Sequence, residues 1–464
     1  MKKVISYNFE NIVGDKTSWE TFFTKERRDA NFAAVFEVGP GEFLAVRDHL
    51  GTIPLYYKIS DNLVHWSFNY NSLKPNRSNL KPENIQRYLG LASGKVTEID
   101  SEIKIVPPGS VLRVNTQSVQ NIYTYRMNTI SSPNSRAEIR IELYKLLEKA
   151  VERTLKEDTI GLYLSGGMDS GLVGCILKSK DIKINAYTAL PWGKNGTEYS
   201  FAKKNAEAIG AAKHTLIDVC PKKYAEYLKS LKDLYKTPNG SPTAINIAAL
   251  WAESDISKEN QLMFAQNTDT MSSSVSAQSN TIVTSFLPKV IRNKFVDMPH
   301  NSPVKNYLHH CTHGYVTKHP YEDYIDKDIS ITGQIAQAGM YIAHTPIDGE
   351  SINGPSIANK KLCSNPYYDM DLIEFYIGID SRQKISFNKE SKTRISFEKN
   401  LFREVALNFL PKDLVYRKKG FTLPQERNKE TSDFYENLDS KLMGIVAKSN
   451  YEKLSLRILK NHLS

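Results

Sequence analysis

One stretch of the chain, residues 159–173, has side chains and glycines whose spacing suits phosphate chemistry. An apolar run, Thr159 to Leu164, leads into Ser165-Gly166-Gly167, and Asp169-Ser170 follows one residue further on. Glycines let backbone N–H groups close around an anion, and the N–H groups at a helix N-terminus add to that preference. An Asp within such a loop would repel phosphate unless a cation lay between them, which makes Asp169 a candidate Mg²⁺ ligand.

A strand, a tight turn and a helix must position this loop. The apolar run before it predicts a short buried strand, and apolar residues recur at helical spacing after it, at Leu172, Val173, Ile176 and Leu177. The next predicted elements are a strand, a helix and a strand, over Ile182 to Leu190, Glu198 to Ile209 and His214 to Val219. Strands that alternate with helices indicate a parallel sheet, in which ligands bind beyond the carboxyl ends of the strands.

The pattern Ser-Gly-Gly-x-Asp-Ser after an apolar strand resembles the pyrophosphate loop of the ATP pyrophosphatases, which cleave ATP between its α and β phosphates. It lacks the Gly-Lys-Ser/Thr ending of the kinase and GTPase loop. The resemblance implies that Mg²⁺ and ATP bind here, with adenine on backbone near Leu164 and Leu190 and with Glu198 at a recurrent acidic position. The phosphates would contact Ser165, Gly166, Gly167, Asp169 and Ser170. The alternative is a glycine-rich turn with a capping Ser.

A second candidate loop runs from Ala265 to Asp269. It resembles the Gly-x-Gly-Ala-Asp loop of asparagine synthetases, whose Asp shares the magnesium, so the resemblance makes Asp269 the second metal ligand. Both glycines are replaced, the second by Asn267, and the Gly-Gly pair farther along is Ser273-Ser274. The alternative for Asp269 is an acid in a surface loop.

Gln266 occupies the position that is Glu in asparagine synthetases and Tyr in β-lactam synthetases, where the side chain helps to place or deprotonate the attacking amine. A Gln can hydrogen-bond but cannot take up a proton. Asp380 aligns with the Glu that partners the Tyr in β-lactam synthetases, so the resemblance implies that Asp380 could orient or deprotonate an amine instead. The alternative for Asp380 is a charge at a helix end.

The C-terminal part resembles the segments that close the same synthetase domain, namely Asn365 to Phe375, Asn400 to Ala406 and Arg417 to Pro424. Lys418 stands where the family's catalytic lysine precedes x-Gly-Phe. A cation there would stabilise the charge that develops on the acyl intermediate and on pyrophosphate. Lys419 is the neighbouring candidate, and a solvated basic turn is the alternative.

The first unit, residues 1–128, is predicted to be rich in strands, which include Phe32 to Val38, Phe43 to Asp48 and Val64 to Phe68. The run Arg47 to Tyr57 and the later Val106-Pro107-Pro108-Gly109-Ser110 resemble the class II glutamine amidotransferase domain of asparagine synthetases. That domain uses an N-terminal cysteine as its nucleophile, whereas the second residue here is Lys2 and no cysteine precedes Cys175. We therefore expect no glutaminase activity, and a fold that survives as a scaffold, as in β-lactam synthetases and lasso-peptide macrolactam synthetases.

Residues 129–135 form a predicted linker between this domain, residues 1–128, and a synthetase domain, residues 136–464. The expected fold is an α+β N-terminal domain with a class II amidotransferase-like sheet sandwich. An α/β domain would follow, with a five-stranded parallel sheet of the adenine nucleotide α-hydrolase kind, in which the pyrophosphate loop occurs, and a helical C-terminal part.

Composition narrows the class of protein. The chain has 464 residues, a net charge of +10 and four scattered cysteines. There is no signal-peptide pattern and no long uncharged apolar stretch, so we expect a cytoplasmic protein without a membrane partner. Basic residues are spread along the chain without aromatic interleaving, and we do not expect nucleic acid as a partner.

A polar and irregular segment is predicted between Ser272 and Asn365, where it would shape a substrate pocket or be disordered. Half of the ten histidines lie between His300 and His319 of this segment. The cluster His309-His310-Cys311-Thr312-His313 could ligate zinc, but it lacks the usual ligand spacing, so a solvated or substrate-facing loop is the default interpretation.

These features predict an ATP-dependent, AMP-forming amide synthetase that works without glutamine. Its substrate, a small molecule or a peptide, would supply a carboxylate and an amine, which favours a lactam, a macrolactam or another specialised amide of natural-product biosynthesis. An ammonia-dependent asparagine synthetase-type enzyme, a degenerate nucleotide-binding regulatory module and a tRNA-modifying pyrophosphatase are the alternatives. A homo-oligomer or a partner protein of the same pathway is compatible with the sequence.

Overall fold

The computed structural model describes residues 2–9, 18–91, 99–130, 135–191, 193, 197–238, 241, 243–274, 282, 302–311, 321–384, 386–387, 395–396, 399–416, 429–447 and 449–463. Within these ranges the chain forms an antiparallel β unit followed by a parallel sheet surrounded by helices.

The first unit contains two antiparallel sheets. Its strands are β1 Lys2–Tyr7, β2 Ala33–Gly39, β3 Glu42–Arg47, β4 Tyr56–Ser60, β5 Leu63–Ser67, β6 Lys104–Ile105, β7 Ser110–Val114 and β8 Val119–Thr124. One sheet has the order β1-β2-β3-β7-β8 and the other has the order β5-β4-β6. Neighbouring residues of β2 enter different cores. Val35 packs in a cluster with Tyr57 of β4 and with Val106, the residue after β6, whereas Phe36 packs in the largest core of the molecule. The two sheets therefore face each other, as expected.

The second unit is built on a five-stranded sheet that is parallel throughout. Its strands are β9 Thr159–Tyr163, β10 Lys183–Leu190, β11 Lys213–Asp218, β12 Gln261–Met263 and β13 Leu362–Ser364, in the order β11-β10-β9-β12-β13. The predicted strands at 159, 182 and 214 differ from the observed ones by a single residue at one or both ends. The predicted layout of an antiparallel domain followed by a parallel one is confirmed.

Helices cover this sheet and fill the rest of the described chain. They are α1 Trp19–Thr21, α2 Pro82–Leu91, α3 Arg136–Thr154, α4 Met168–Ser179, α5 Thr197–Ala208, α6 Tyr224–Tyr235, α7 Thr243–Glu253, α8 Thr268–Met271, α9 Pro303–Cys311, α10 Ile331–Ala338, α11 His344–Ala358, α12 Met370–Gly378, α13 Ser381–Lys384, α14 Asn400–Ala406, α15 Lys412–Val415, α16 Lys429–Glu436 and α17 Asn450–Leu463. Two short antiparallel hairpins complete the strands, β14 Ser386–Phe387 with β15 Ile395–Ser396 and β16 Lys441–Leu442 with β17 Ile445–Val446. None of the helices described is long and apolar enough to cross a membrane.

The prediction of an irregular segment between Ser272 and Asn365 is wrong in two places. Helix α9 Pro303–Cys311 includes His309, His310 and Cys311, which were predicted to lie in a loop. Residues 331–358 form an almost continuous helical run. Helix α10, a π-helical turn over Gly339–Ala343 and helix α11 follow one another there. Polar side chains such as Gln337 and Asn353 are fully buried in this run. They make the composition look like that of a loop, although the backbone is helical and lies in the core.

Candidate active site

The two candidate loops leave the carboxyl ends of adjacent strands. Strand β9 pairs with β12 in register, with Leu162 opposite Met263, so the loops after Tyr163 and Met263 emerge at the same edge of the sheet. This edge is where parallel sheets bind ligands. Tyr367, which follows the third strand of this group, β13, donates its hydroxyl hydrogen to the carbonyl of Asp169 at 3.2 Å.

The loop after β9 is held in shape by its own side chains. The N–H of Ser165 donates to Ser170 Oγ at 3.1 Å, and the N–H of Gly167 donates to Ser165 Oγ at 3.1 Å. Glu198 accepts from the N–H of Gly166 at 2.6 Å. Helix α4 then begins at Met168, and Gly167 offers no side chain to cap it. Its first backbone N–H groups lack partners within the helix and could bind an anion.

The loop after β12 keeps backbone angles that favour glycine at two positions where glycine is missing. Asn267 has a φ of 103° and Ser273 has a φ of 54°, both in the left-handed region. Asn tolerates that region better than most residues. Its side chain is held on both sides, since Asn267 donates to the carbonyl of Tyr367 at 3.0 Å and accepts from Thr345 Oγ1 at 2.6 Å. The loop therefore keeps its turns without its glycines.

Lys399 joins the two predicted metal ligands. Its Nζ lies 2.6 Å from Asp169 Oδ2 and 2.8 Å from Asp269 Oδ2. Burial lowers the pKa of Lys399, but the two carboxylates outweigh burial and raise this pKa to about 12. A single cation thus contacts both acids, so the carboxylates are close enough to share one ion.

Sequence reasoning missed Lys399. The matching segment began at Asn400, and no local pattern distinguishes this lysine from the many others in the chain. Lys399 lies 230 positions after Asp169 in the sequence, and only the fold brings the two residues together.

The two acids fit a magnesium ion by their chemistry. Asp169 Oδ1 is buried and has no hydrogen-bond partner among the described residues, so one carboxylate oxygen is left for a ligand. Hard oxygen donors suit Mg²⁺, which usually takes one or two carboxylates together with water and substrate phosphates. In the described part of the chain, His, Cys, Asp and Glu form no group of three or more that could hold a metal.

Three further buried polar atoms lack partners within the described ranges, namely Gln266 Oε1, Thr268 Oγ1 and His344 Nε2. Gln266 is anchored through its backbone, whose carbonyl accepts from Asn365 Nδ2 at 2.9 Å. His344 begins helix α11 and interacts electrostatically with Asp269. Sequence reasoning also missed His344, because it stands alone, outside the histidine cluster.

The other predicted site residues lie in different surroundings. Asp380 is half-exposed and pairs with Arg382 at 2.8 Å; the hydrogen bond and charge of Arg382 lower the pKa of Asp380 to about 2. The backbone carbonyls of Leu164 and Leu190 both accept hydrogen bonds within the protein. The Leu164 carbonyl accepts from Thr188 Oγ1, and the Leu190 carbonyl accepts from the N–H of Val219. Lys418 and Lys419 lie outside the described residues, as does His313.

In the first unit, residues of the amidotransferase-like motif make hydrogen bonds that hold their own loop in place. The buried guanidinium of Arg47 donates to the carbonyls of Ile53, Gly51 and Val106. Asp48 accepts from the N–H groups of Leu50, Thr52 and Ile53. These contacts fix the loop between β3 and β4. The cysteines described, at 175, 220 and 363, are all in the second unit.

Comparison with known proteins finds one family match in each unit. The sequence model of asparagine synthase matches residues 142–255, and that of the glutamine amidotransferase domain matches residues 24–126. The first match includes Asp169 and Glu198 but ends before Gln266. No curated protein matches the chain significantly.

Proposed function

Because this chain is an asparagine synthetase-like, ATP-dependent amide ligase with an N-terminal glutamine amidotransferase-type domain, we propose that it adenylates a substrate carboxylate. The observation that carries the proposal is the shared contact of Asp169 and Asp269 with one cation, the ammonium of Lys399. We infer that these acids hold Mg²⁺, which neutralises phosphate charge when bound. We also assign the second unit to the adenine nucleotide α-hydrolase fold with a pyrophosphate loop.

In the proposed reaction, the carboxylate attacks the α phosphate of ATP and pyrophosphate leaves. The N–H groups at the start of helix α4, with the Ser165 and Ser170 hydroxyls, hold the departing phosphates. Adenine lies against backbone near Leu164 and Leu190. Lys399 and, as the sequence predicts, Lys418 supply positive charge where negative charge develops. An amine then displaces AMP from the acyl-adenylate.

The amine does not come from glutamine in this proposal. No cysteine precedes Cys175 in the sequence, so the first unit lacks the thiolate that would attack a glutamine side chain. An amine of the substrate or of a second substrate would give a lactam, a macrolactam or another specialised amide. Free ammonia and an asparagine-like product form the second candidate, favoured by the match to asparagine synthase.

The experiment is to measure AMP and pyrophosphate release from Mg²⁺-ATP with a panel of carboxylates and peptides. We expect release with wild type, and loss of at least about 100-fold in Asp169→Asn and Asp269→Asn, since each removes a charge that holds the metal. Asp158→Asn is the matched control, because Asp158 is an exposed acid at the opposite, amino end of strand β9. Asp169-independent hydrolysis, or ATP binding without turnover on any carboxylate, would favour a nucleotide-binding regulatory module instead.

A further inference from the structure

Two side chains of helix α5 hold one peptide of the loop after β9 at both of its ends. Asn205 Nδ2 donates to the carbonyl of Ser165 at 2.8 Å, and Glu198 accepts from the N–H of Gly166 at 2.6 Å. The two side chains are seven residues apart in the sequence, which places them on one face of a helix. Because the C=O and N–H of a trans peptide point in opposite directions, this peptide lies between a donor and an acceptor.

The amide of Asn205 also contacts a second carbonyl of the same loop. Its Nδ2 donates to the carbonyl of Gly167 at 2.9 Å, so both hydrogens of one amide are used. The side chain is fully buried, and two carbonyl acceptors fix which end of the amide carries the nitrogen. In the peptide that joins Gly167 to Met168, a carbonyl held on Asn205 directs the N–H of Met168 away from α5. That N–H is the first one of helix α4, where phosphate binds in the proposed reaction.

The peptide between Ser165 and Gly166 needs such support because glycine lets it rotate. Glycine adopts either sign of φ at little cost, so this loop could turn the peptide over. A rotated peptide would direct its carbonyl at the Glu198 carboxylate and its N–H at the N–H groups of Asn205. Both contacts are repulsive, since an acceptor would face an acceptor and a donor would face a donor. The two side chains of α5 therefore select one of the two orientations.

Gly171, in the first turn of α4, leaves room for the Asn205 amide. A Cβ at residue 171 would lie 2.7 Å from Asn205 Oδ1 and 2.9 Å from Leu410 Cδ1. The end of the Leu410 side chain can move, whereas Asn205 cannot move without breaking both bonds to the loop. Asn205 Oδ1 is buried and has no hydrogen-bond partner among the described residues. An apolar side chain would avoid this unfavourable burial, so the benefit of an amide here lies in its two N–H donors.

We propose that Asn205 is a positioning residue for the nucleotide: it fixes two peptides of the loop so that the N–H groups at the start of α4 face the phosphates. Asn205 itself does not touch the ligand. A loop that is already held in its binding conformation loses less conformational freedom when the ligand binds, which increases affinity. This inference rests on the proposed nucleotide site, but it concerns phosphate binding and needs no adenylation step.

The test measures the binding of inorganic pyrophosphate and of ATP, each with Mg²⁺, to the full-length protein by isothermal titration calorimetry. Asn205→Leu keeps the approximate size of the side chain and removes both donors, so we expect about 10-fold weaker binding of both ligands. Asn205→Asp directs oxygen at the two carbonyls and should bind at least as weakly. In turnover assays, the KM for ATP should rise with little change in kcat, because Asn205 does not touch the reacting atoms.

Two further variants exclude a merely structural role. Asn31→Leu is the matched control: Asn31 is 1% exposed, and its Nδ2 donates at 2.6 Å to the carbonyl of Cys363, in the middle of strand β13. Both Leu variants should lower the free energy of unfolding in urea, but only Asn205→Leu should weaken pyrophosphate binding. Gly171→Ala disturbs the amide without replacing it. It should weaken binding in wild type and add little in Asn205→Ala, where the new methyl group no longer meets the amide.

Each outcome bears on one proposal or on both. Unchanged binding in Asn205→Leu, or equal weakening in Asn31→Leu, overturns the role of Asn205 and leaves the nucleotide site intact. Additive effects of Gly171→Ala and Asn205→Ala overturn it as well, since one contact cannot be lost twice. If Asn205→Leu does not fold, unchanged binding in Gly171→Ala overturns the role. If wild type binds neither pyrophosphate nor ATP, both proposals fall together, whereas binding without adenylation of any carboxylate removes only the ligase reaction.

Discussion

Lys399 shows how one side chain can organise a site. Its ammonium is the cation that both Asp169 and Asp269 contact, and its side chain is 12% exposed. Without it, two carboxylates would face each other with less neutralising charge. Removing one member of a mostly buried charge cluster destabilises a protein because the remaining charges lose their partner.

We expect Lys399→Met to lower the free energy of unfolding by about 2 kcal/mol in the absence of divalent ions. Millimolar Mg²⁺ should restore part of that loss, since the ion replaces the missing positive charge. Urea denaturation with and without Mg²⁺ measures both effects. Lys183→Met, on an exposed lysine of strand β10, is the control and should respond to neither change. An unchanged midpoint for Lys399→Met without Mg²⁺ would contradict the ion-pair interpretation.

Asn267 gives a second prediction about a single residue of the site. Its positive φ explains how the loop keeps the shape of a glycine loop without glycine. We expect Asn267→Gly to retain most of the activity, because glycine adopts this backbone conformation freely. Asn267→Val should lose at least about 1 kcal/mol of stability, since a β-branched residue is strained there and cannot replace the bonds to Thr345 and Tyr367. Thermal unfolding and AMP release distinguish the two variants; equal effects would refute the argument.

Among the elements, helix α12 ends on an unusual cap. Lys384 is 3% exposed, its Nζ donates to the carbonyl of Ile377 at 3.1 Å, and it lies over the Tyr376 ring. Burial lowers the pKa of Lys384 to about 7, against the opposing effect of Asp380. A cation at a helix C-terminus satisfies a carbonyl that has no partner within the helix.

The lowered pKa gives a prediction about pH. Between pH 7 and about 10, the unfolded chain binds a proton at Lys384 that the folded chain does not, so this group makes stability rise as the pH rises. In Lys384→Met the contribution is absent. As the pH is raised from 7 to 10, we expect the free energy of unfolding of wild type to increase relative to that of Lys384→Met. Chemical denaturation at several pH values measures the difference, and a constant difference would contradict the burial of the charge.

Asp380 lies near this helix end. Its role in amine deprotonation, predicted from the sequence, stays a proposal. Its pairing with Arg382 and its pKa of about 2 make it a weak base. If Asp380 is the proton acceptor, Asp380→Asn should reduce methylamide formation by about 100-fold. We expect a change of only a few fold, because Asp380 is half-exposed and pairs with Arg382. Amide formation with methylamine as the amine substrate measures the effect.

At the scale of the whole molecule, the two units share one core and a buried ionic network. Arg28 of the first unit contacts Glu374 and Asp371 of helix α12, and Arg153 of α3 contacts Asp371 at 2.7 Å. Residues of both units lie in the largest apolar cluster. Tyr88, on α2, donates to the carbonyl of Ser455 on the last helix at 3.1 Å. The first unit is thus tied to the second unit at several places.

We therefore expect both units to unfold in one cooperative transition. Arg28→Met should lower the free energy of unfolding by about 3–5 kcal/mol, because Glu374 would be left buried without its cation. Arg113→Met is the control: the side chains of Arg113 and Glu42 are 50% and 38% exposed and lie 3.9 Å apart, and surface pairs of this kind contribute less than about 1 kcal/mol. Calorimetry and urea denaturation measure both variants. Two separate transitions in wild type would show that the first unit is an independent scaffold.

The sequence by itself determined the local chemistry: a strand, a glycine-rich turn and a helix around Ser165 to Ser170, and the alternation of strands and helices behind it. These features depend on near neighbours in the chain, so periodicity and turn residues reveal them. Only the tertiary structure decided that Lys399 contacts both Asp169 and Asp269, and that residues 331–358 are helical. The residues that contact one another in this site lie far apart in the sequence. The buried polar residues of 331–358 give a core helix the composition of a loop, so composition alone does not reveal it.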